Sequence, residues 1–205
     1  MHPEMNDGDL LQRMLAGDES AFTVLYRRHQ DRVYRFAQQM TGSPGLAEEV
    51  TQEVFLTLMR AGKSFNSQRA SLPSWLYGIA RNYIHRCLER ERPYVPFATD
   101  RDNETPAELP DTCSGEDVLT DFTNRETVEQ VRRAILSLPA SYRETVVLCE
   151  LHELSYVEAA ESLGCAVGTV RSRLHRAREL LAERLKDVRE KTGMRRLEAR
   201  SCRRG

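Results

Sequence analysis

The sequence predicts an all-α protein of two small helical domains joined by a flexible acidic linker. Three observations carry that class. Apolar residues recur at helical spacing in segment after segment, and no segment shows the period-two alternation of a strand. The periodicity collapses over residues 93–121, which hold four prolines and many acids. Charge is also segregated. Residues 1–93 hold 12 Lys/Arg and 11 Asp/Glu, residues 94–130 hold 2 and 10, and residues 131–205 hold 16 and 10. The net charge of −1 therefore hides a basic C-terminal third beside an acidic strip. The expected partition is a first domain at 1–93, a linker at 94–124, a second domain at 125–190 and a basic, frayed tail at 191–205.

The first long helix is expected over 18–40. Phe22, Leu25, Tyr26, His29, Val33, Phe36, Ala37 and Met40 fall on one stripe, with His29 as a core histidine whose nitrogen is satisfied. Thr41-Gly42 stops it. Ser43 and Pro44 then supply an N-cap and a first-turn proline for a second helix, 44–61. That helix buries Ala47, Val50, Val54, Phe55 and Leu58 and turns Glu48, Glu49, Gln52 and Glu53 outward. A polar loop at 63–70 leads to a third helix over 71–91, with Leu72, Trp75, Leu76, Ile79 and Tyr83 inside. Tyr77, Arg81 and His85 are expected outside, with Asn82 beside them. Aromatic and basic side chains interleaved on an exposed face suit single-stranded nucleic acid, where bases stack and phosphates need cations. Beyond the linker, Val128, Val131, Ile135 and Leu138 mark a helix stopped by Pro139. A further helix over 141–153 packs Val146, Val147, Leu148 and Leu151.

Residues 154–178, LSYVEAAESLGCAVGTVRSRLHRAR, read as two helices and a tight turn. Ser155 and Glu158 form a capping box, Ala159, Ala160 and Leu163 give a close-packing stripe, and Gly164 supplies the turn. The second helix starts near Val167 and buries Val170, Leu174, Ala177 and Leu181. Its opposite face carries Gly168, Ser172 and His175, flanked by Thr169, Arg171, Arg176 and Arg178. A solvated amphipathic helix would mix acids into such a face. This one is almost purely basic, which favours a DNA recognition helix.

Other chemistries find less support. Cys149 and His152 form a C-x-x-H, with Cys165 and His175 downstream, but these thiols sit in apolar surroundings and read as small hydrophobes. No metal or other cofactor is expected. Carboxylates do not cluster for magnesium, and no serine or tyrosine nucleophile stands in an arginine setting, so the chain is not expected to be an enzyme. A dimeric operator-binding regulator lacks sustained heptads. No apolar run is long enough to enter a bilayer and the polar, acidic N-terminus is unlike a signal peptide, so a cytoplasmic protein is expected.

The series FxxLYRRHQDRVYRFA, LAEEVTQEVFLTLMR, LPSWLYGIARNYI and, after the linker, LSYVEAAESLGCAVGTVRSRLHRARELL resembles the extracytoplasmic-function (ECF) class of bacterial RNA polymerase sigma factors. The resemblance covers residues 20–92 and 125–185. It implies a region 2-like bundle first and a region 4-like helix-turn-helix second, with the linker threading toward the polymerase cleft. It further implies that Glu49, Gln52 and Glu53 dock on the clamp helices of the core polymerase β′ subunit. Phe65, in the loop 65–71, with Tyr77, Arg81 and Asn82, would serve the −10 promoter element, where a non-template base is flipped out. Thr169, Arg171, Ser172, His175 and Arg176 would read the −35 element. The polymerase β flap, promoter DNA and a cognate anti-sigma factor are the other implied partners. One departure is Ala166, which stands where the family usually has a turn former. Alanine there is a poorer N-cap than serine by about 1 kcal/mol.

Overall fold

A computed structural model describes residues 5–91 and 119–201. Its helices are α1 (Asp7–Leu15), α2 (Glu19–Thr41), α3 (Pro44–Ala61), α4 (Leu72–Glu91), α5 (Leu119–Leu136), α6 (Ala140–Val146), α7 (Tyr156–Leu163) and α8 (Val167–Ser201). A 3-10 turn, Gly62–Ser64, follows α3, and a π-helical turn, Val147–Leu151, follows α6. No strand occurs among the described residues. Most of the expected acidic linker lies outside them.

The chain divides into two compact units that cut differently from the domains expected in the sequence. Among the described residues, one holds 5–91 together with Val147–Arg171; the other holds 119–146 and 172–201. The turn, α7 and the start of α8 therefore pack in the same unit as α1 to α4.

In that first unit, Leu25, Phe36, Leu58, Leu76 and Ile84 are fully buried among α2, α3 and α4. Each helix start has a local cause. Asp18 accepts hydrogen bonds from the backbone N–H of Ser20 and Ala21 at the head of α2. A bond from the Ser20 hydroxyl and then the Arg13 guanidinium pull its carboxyl down to about 2. Ser43 caps α3 with Pro44 in its first turn, and Gly42, at φ 72°, closes α2 in the left-handed conformation.

Helix α1 had no place in the sequence reading. Asn6 caps it by accepting from Asp9 N–H at 2.8 Å, and Leu10 and Leu11 enter the core. Burial works against the Asp7 carboxylate, but His29 and Arg28 bond to it and hold it below its ordinary range. The contact from His29 Nε2 is 2.9 Å, so the core histidine is satisfied, as the stripe on α2 required.

Helix α4 corrects the sequence reading of its faces. Leu72, Leu76, Ala80 and Ile84 form the buried row, whereas Trp75, Ile79 and Tyr83 are only half-buried. Tyr77, expected outside, is 2% exposed. Phe22 and Tyr26 of α2, expected on the core stripe, are half-buried as well.

In the second unit α5 and α6 meet around Ile135 and Leu138, both buried, while Val128 is 52% exposed rather than packed. The Arg143 guanidinium donates to the Leu136 and Leu138 carbonyl oxygens, which closes the end of α5 ahead of Pro139. Helix α6 is shorter than expected. At Val147 the chain widens into the π-turn, where His152 N–H reaches the Val147 carbonyl and Leu154 N–H reaches that of Leu148. Glu153 then takes a left-handed φ of 57°. A non-glycine residue in that region is strained by about 1–3 kcal/mol, and the bend aims His152 at α2 and α4. The tail also differs from expectation, because α8 continues to Ser201.

Candidate polymerase-docking and nucleic-acid surfaces

On α3, Ala47, Val50, Thr51, Val54, Phe55 and Leu58 face the core, which leaves Glu48, Glu49 and Gln52 exposed and Glu53 half-buried. Glu49 is already engaged. The Tyr83 hydroxyl of α4 donates to its carboxylate at 2.6 Å. That bond, ahead of burial, pushes the Tyr83 phenol up to about 12. The Arg86 guanidinium lies over the Tyr83 ring, 5.4 Å from its centroid. Beside this face runs a groove of about 650 Å³ between α2 and α3. Phe22, Tyr26 and Phe55 line it, with Asp31, Glu48 and Gln52 contributing polar groups. Tyr26 and Phe55 meet edge to face with centroids 4.7 Å apart, and Met59 stands 55% exposed nearby. The sequence signal for this groove was the aromatic pair at i, i+4 on the margin of the α2 stripe. By periodicity alone the pair reads as core.

The loop before α4 is organised by Asn66, whose side chain accepts from Gln68 N–H and whose carbonyl accepts from Arg69 N–H. Phe65, half-buried, packs on Trp75 with centroids 5.6 Å apart. Seven residues on from Trp75, close to two helical turns, comes the exposed Asn82 on the same face. Tyr77 and Asn82 are five residues apart and point about 140° from one another, so one helix face cannot present both. The structure groups Phe65, Trp75 and Asn82, and sets Tyr77 and half-buried Arg81 on another side.

Tyr77 is enclosed. Its ring lies 5.1 Å from that of Phe36 and 5.1 Å from that of His152. Its hydroxyl is 2.9 Å from His152 Nδ1, while His152 Nε2 is 2.8 Å from Gln39 Oε1. Gln39 can only accept through Oε1, so Nε2 carries the proton and Nδ1 accepts from the phenol. This network satisfies a neutral ring. Burial, then Arg35 and Arg32, push the His152 pKa from 6.5 down to about 4. Burial likewise raises the Tyr77 phenol to about 12, so it stays protonated and donates. Since the packed histidine resists protonation, the stability it contributes is complete above about pH 6.5 and is lost progressively as pH falls toward about 4. The C-x-x-H histidine is thus occupied by Tyr77 and Gln39.

The helix-turn-helix follows the sequence closely. Ser155 and Glu158 form the reciprocal capping box on α7, and Gly164 ends it at φ 63°. The Ala166 carbonyl accepts from Thr169 and Val170 N–H, with no side-chain cap to offer. Val170, Leu174 and Ala177 are buried. Arg171, Ser172, His175 and Arg176 are exposed and Thr169 is half-buried. Arg176 bonds to Glu179 at 2.9 Å, and His175 Nε2 lies 3.9 Å from the same carboxylate. The Arg176 bond, ahead of His175, lowers the Glu179 carboxyl.

A basic helix-turn-helix among described residues that hold helices and no strand, with an exposed amide beside a half-buried aromatic pair on a separate helix, fits a DNA-binding transcription protein. Comparison with known proteins gives the family. Residues 25–93 match the family model described as Sigma-70 region 2, and residues 128–181 match Sigma-70, region 4. The ECF RNA polymerase sigma-E factor of Escherichia coli is 34% identical over 92% of this chain and 98% of its own length. The ECF sigma factor SigM of Mycobacterium tuberculosis is 34% identical over 89% of this chain and 86% of its own. SigE of Mycolicibacterium smegmatis is also 34% identical, over 82% of this chain and 64% of its own length. In fold, the chain is similar to CnrH in complex with the cytosolic domain of CnrY, at TM-score 0.65 and 24% identity over 88% of this chain and 97% of that one. The protein belongs to the ECF class of RNA polymerase sigma factors. It is an alternative sigma factor that directs promoter-specific transcription.

Proposed function

We propose that the surfaces above divide that task as follows. Residues 1–93 form the module that docks on core polymerase and opens the −10 element, and residues 125–190 form the module that reads the −35 element. Gln52 and Glu53, with Glu49 alongside, meet the β′ clamp helices, and the aromatic groove beside them receives apolar side chains of the same partner. Phe65, Arg81 and Asn82 serve the non-template strand at −10, while Tyr77, the fourth residue the resemblance implies, is enclosed by Phe36 and His152. Thr169, Arg171, Ser172, His175 and Arg176 serve the −35 duplex, while the second module also contacts the β flap. RNA synthesis belongs to the polymerase, and this chain contributes binding rather than catalysis. It acts in the cytoplasm; among the described residues no helix is long and apolar enough to cross a membrane. A cognate anti-sigma factor is a further partner, in keeping with a similar fold solved as RpoE of Bartonella quintana with the anti-sigma factor NepR.

The observation that carries this reading is one exposed amide, Asn82, on the same face of α4 as the Phe65–Trp75 aromatic pair. An amide offers a donor and an acceptor to the edge of an extruded base, and the rings offer a stacking surface. Asn82→Ala is expected to slow promoter opening and relax base preference at −10 while sparing initiation from a pre-melted template. Permanganate footprinting and run-off transcription on both templates check it. Equal losses on the two templates would place Asn82 in folding or docking instead.

A further inference from the structure

At its solvent edge, the seam between α3 and α4 carries a contact that the core does not need. Val50, Val54 and Leu58 of α3 and Leu76, Ala80 and Ile84 of α4 are buried. Outside them, half-buried Tyr83 of α4 crosses to exposed Glu49 of α3 and donates its hydroxyl to Glu49 Oε1 at 2.6 Å. That is the length of a bond to an ionised acceptor, which is stronger than one between neutral groups. The Glu49 bond is the largest influence pushing the Tyr83 phenol up to about 12, and the charge of Glu53, one turn on, adds to it. The phenol therefore stays a donor, with both acids in its electrostatic reach. The Arg86 guanidinium lies over the ring, 5.4 Å from its centroid, and steadies it at the seam.

We propose that Tyr83 is a positioning residue for polymerase docking: its hydroxyl fixes the Glu49 carboxylate in one orientation, so the docking surface spans the seam of α3 and α4 rather than α3 alone. This role rests on the assignment of Glu49, Gln52 and Glu53 to core polymerase. A free glutamate on a helix surface turns about several side-chain torsions, and that freedom is lost when a partner closes on it. Tyr83 removes part of that loss in advance, so less is forfeited on binding. With Oε1 engaged, Oε2 keeps its lone pairs for a cation of the partner. The chemistry that fits is a lysine or arginine of core polymerase reaching Glu49 from the α4 side, beside the groups that meet Gln52 and Glu53. Polar contacts within reach of water add little to folding, and the buried rows hold α3 to α4 without this one. Its larger effect falls on docking.

The test follows binding of the full chain to purified core polymerase by stopped-flow kinetics, with a thermal melt beside it. Tyr83→Phe keeps the ring, the Arg86 contact and every charge, and removes only the hydroxyl. It is expected to melt near wild type and to associate at the wild-type rate, because steering depends on charge. Dissociation is expected to be about three- to tenfold faster, the scale of one side chain left to be ordered on binding. Glu49→Asp keeps the charge one methylene short of the phenol and should do the same. In a Glu49→Ala background Tyr83→Phe should change nothing further, because the group it positions is gone. Base preference at −10 should stay that of wild type, although Asn82 is the neighbouring residue. Wild-type dissociation in Tyr83→Phe would overturn the positioning role. So would an equal loss in the Glu49→Ala background, which would make Tyr83 itself a polymerase contact, or a shifted −10 preference with core affinity unchanged. If Tyr83→Phe melts early, Glu49→Asp decides on the same rates; if both do, the bond is structural and the role falls. Failure of the docking assignment is distinguishable, because Gln52→Lys with Glu53→Lys would then leave core affinity unchanged. Failure of the positioning role alone leaves that double variant weak and Tyr83→Phe neutral.

Discussion

A chain carrying Gln52→Lys and Glu53→Lys is expected to fold like wild type and to bind core polymerase on the order of a hundredfold more weakly. Both positions lie on the solvent side of α3, while Thr51, Val54 and Phe55 hold the core side. Substitutions outside a packed interior usually change stability by under about 0.5 kcal/mol. If the partner surface complements the acids of α3, placing two lysines against it juxtaposes like charges, which costs several kcal/mol of binding. Fluorescence anisotropy with labelled protein and purified core, beside a thermal melt, separates the two effects. Glu49→Lys is a poorer probe, because it also removes the acceptor of the Tyr83 hydroxyl and loosens α3 from α4. Unchanged affinity in the double variant would take α3 out of the docking surface.

The second large effect is expected at the −35 element, where Arg171→Ala and Arg176→Ala should fail in different ways. Arg171 is exposed near the N-terminal end of α8, the end that recognition helices insert toward the bases. Arg176 lies further along and is held by Glu179, which fixes its guanidinium on one side of the helix. Arg171 is therefore assigned to a base edge and Arg176 to a phosphate. A bidentate arginine–guanine contact discriminates by about 1–3 kcal/mol, so Arg171→Ala should relax preference at one position of the element. Arg176→Ala should weaken all sequences alike and lower the salt slope by about one unit. Promoter selection at several salt concentrations reads both. Identical preferences in wild type and Arg171→Ala would end the base-reading assignment.

Legibility in the sequence followed the strength of local signals. The capping box at Ser155 and Glu158, the left-handed Gly164 and the row Val170, Leu174, Ala177 are self-contained, and each stands in the structure as the residues implied. The same holds for Ser43-Pro44 opening α3. What escaped depended on partners distant in the chain. Tyr77 fits an exposed face until Phe36 and His152 are brought to it from elsewhere, and no periodicity within α4 encodes that. Phe22 and Tyr26 satisfy the α2 stripe, but a groove against Phe55 leaves them at its surface. Helix α1 was missed because nine residues give little periodicity. The Asp7 contacts that fix it come from His29 and Arg28, 22 and 21 positions away. The π-turn after Val146 was invisible for a related reason: VVLCEL reads equally well as a continued helix, and only the bonds of His152 show where it widens.

The central claim is that this chain confers promoter choice on a polymerase that lacks it. Run-off transcription with purified bacterial core polymerase over a broad promoter library tests that most directly. With the protein added, discrete transcripts should arise from a narrow set of promoters that share a −35 and a −10 element at fixed spacing, while the protein alone binds the same duplexes weakly. A library that yields no transcript dependent on the protein, from core that is active with another sigma factor, would contradict the account.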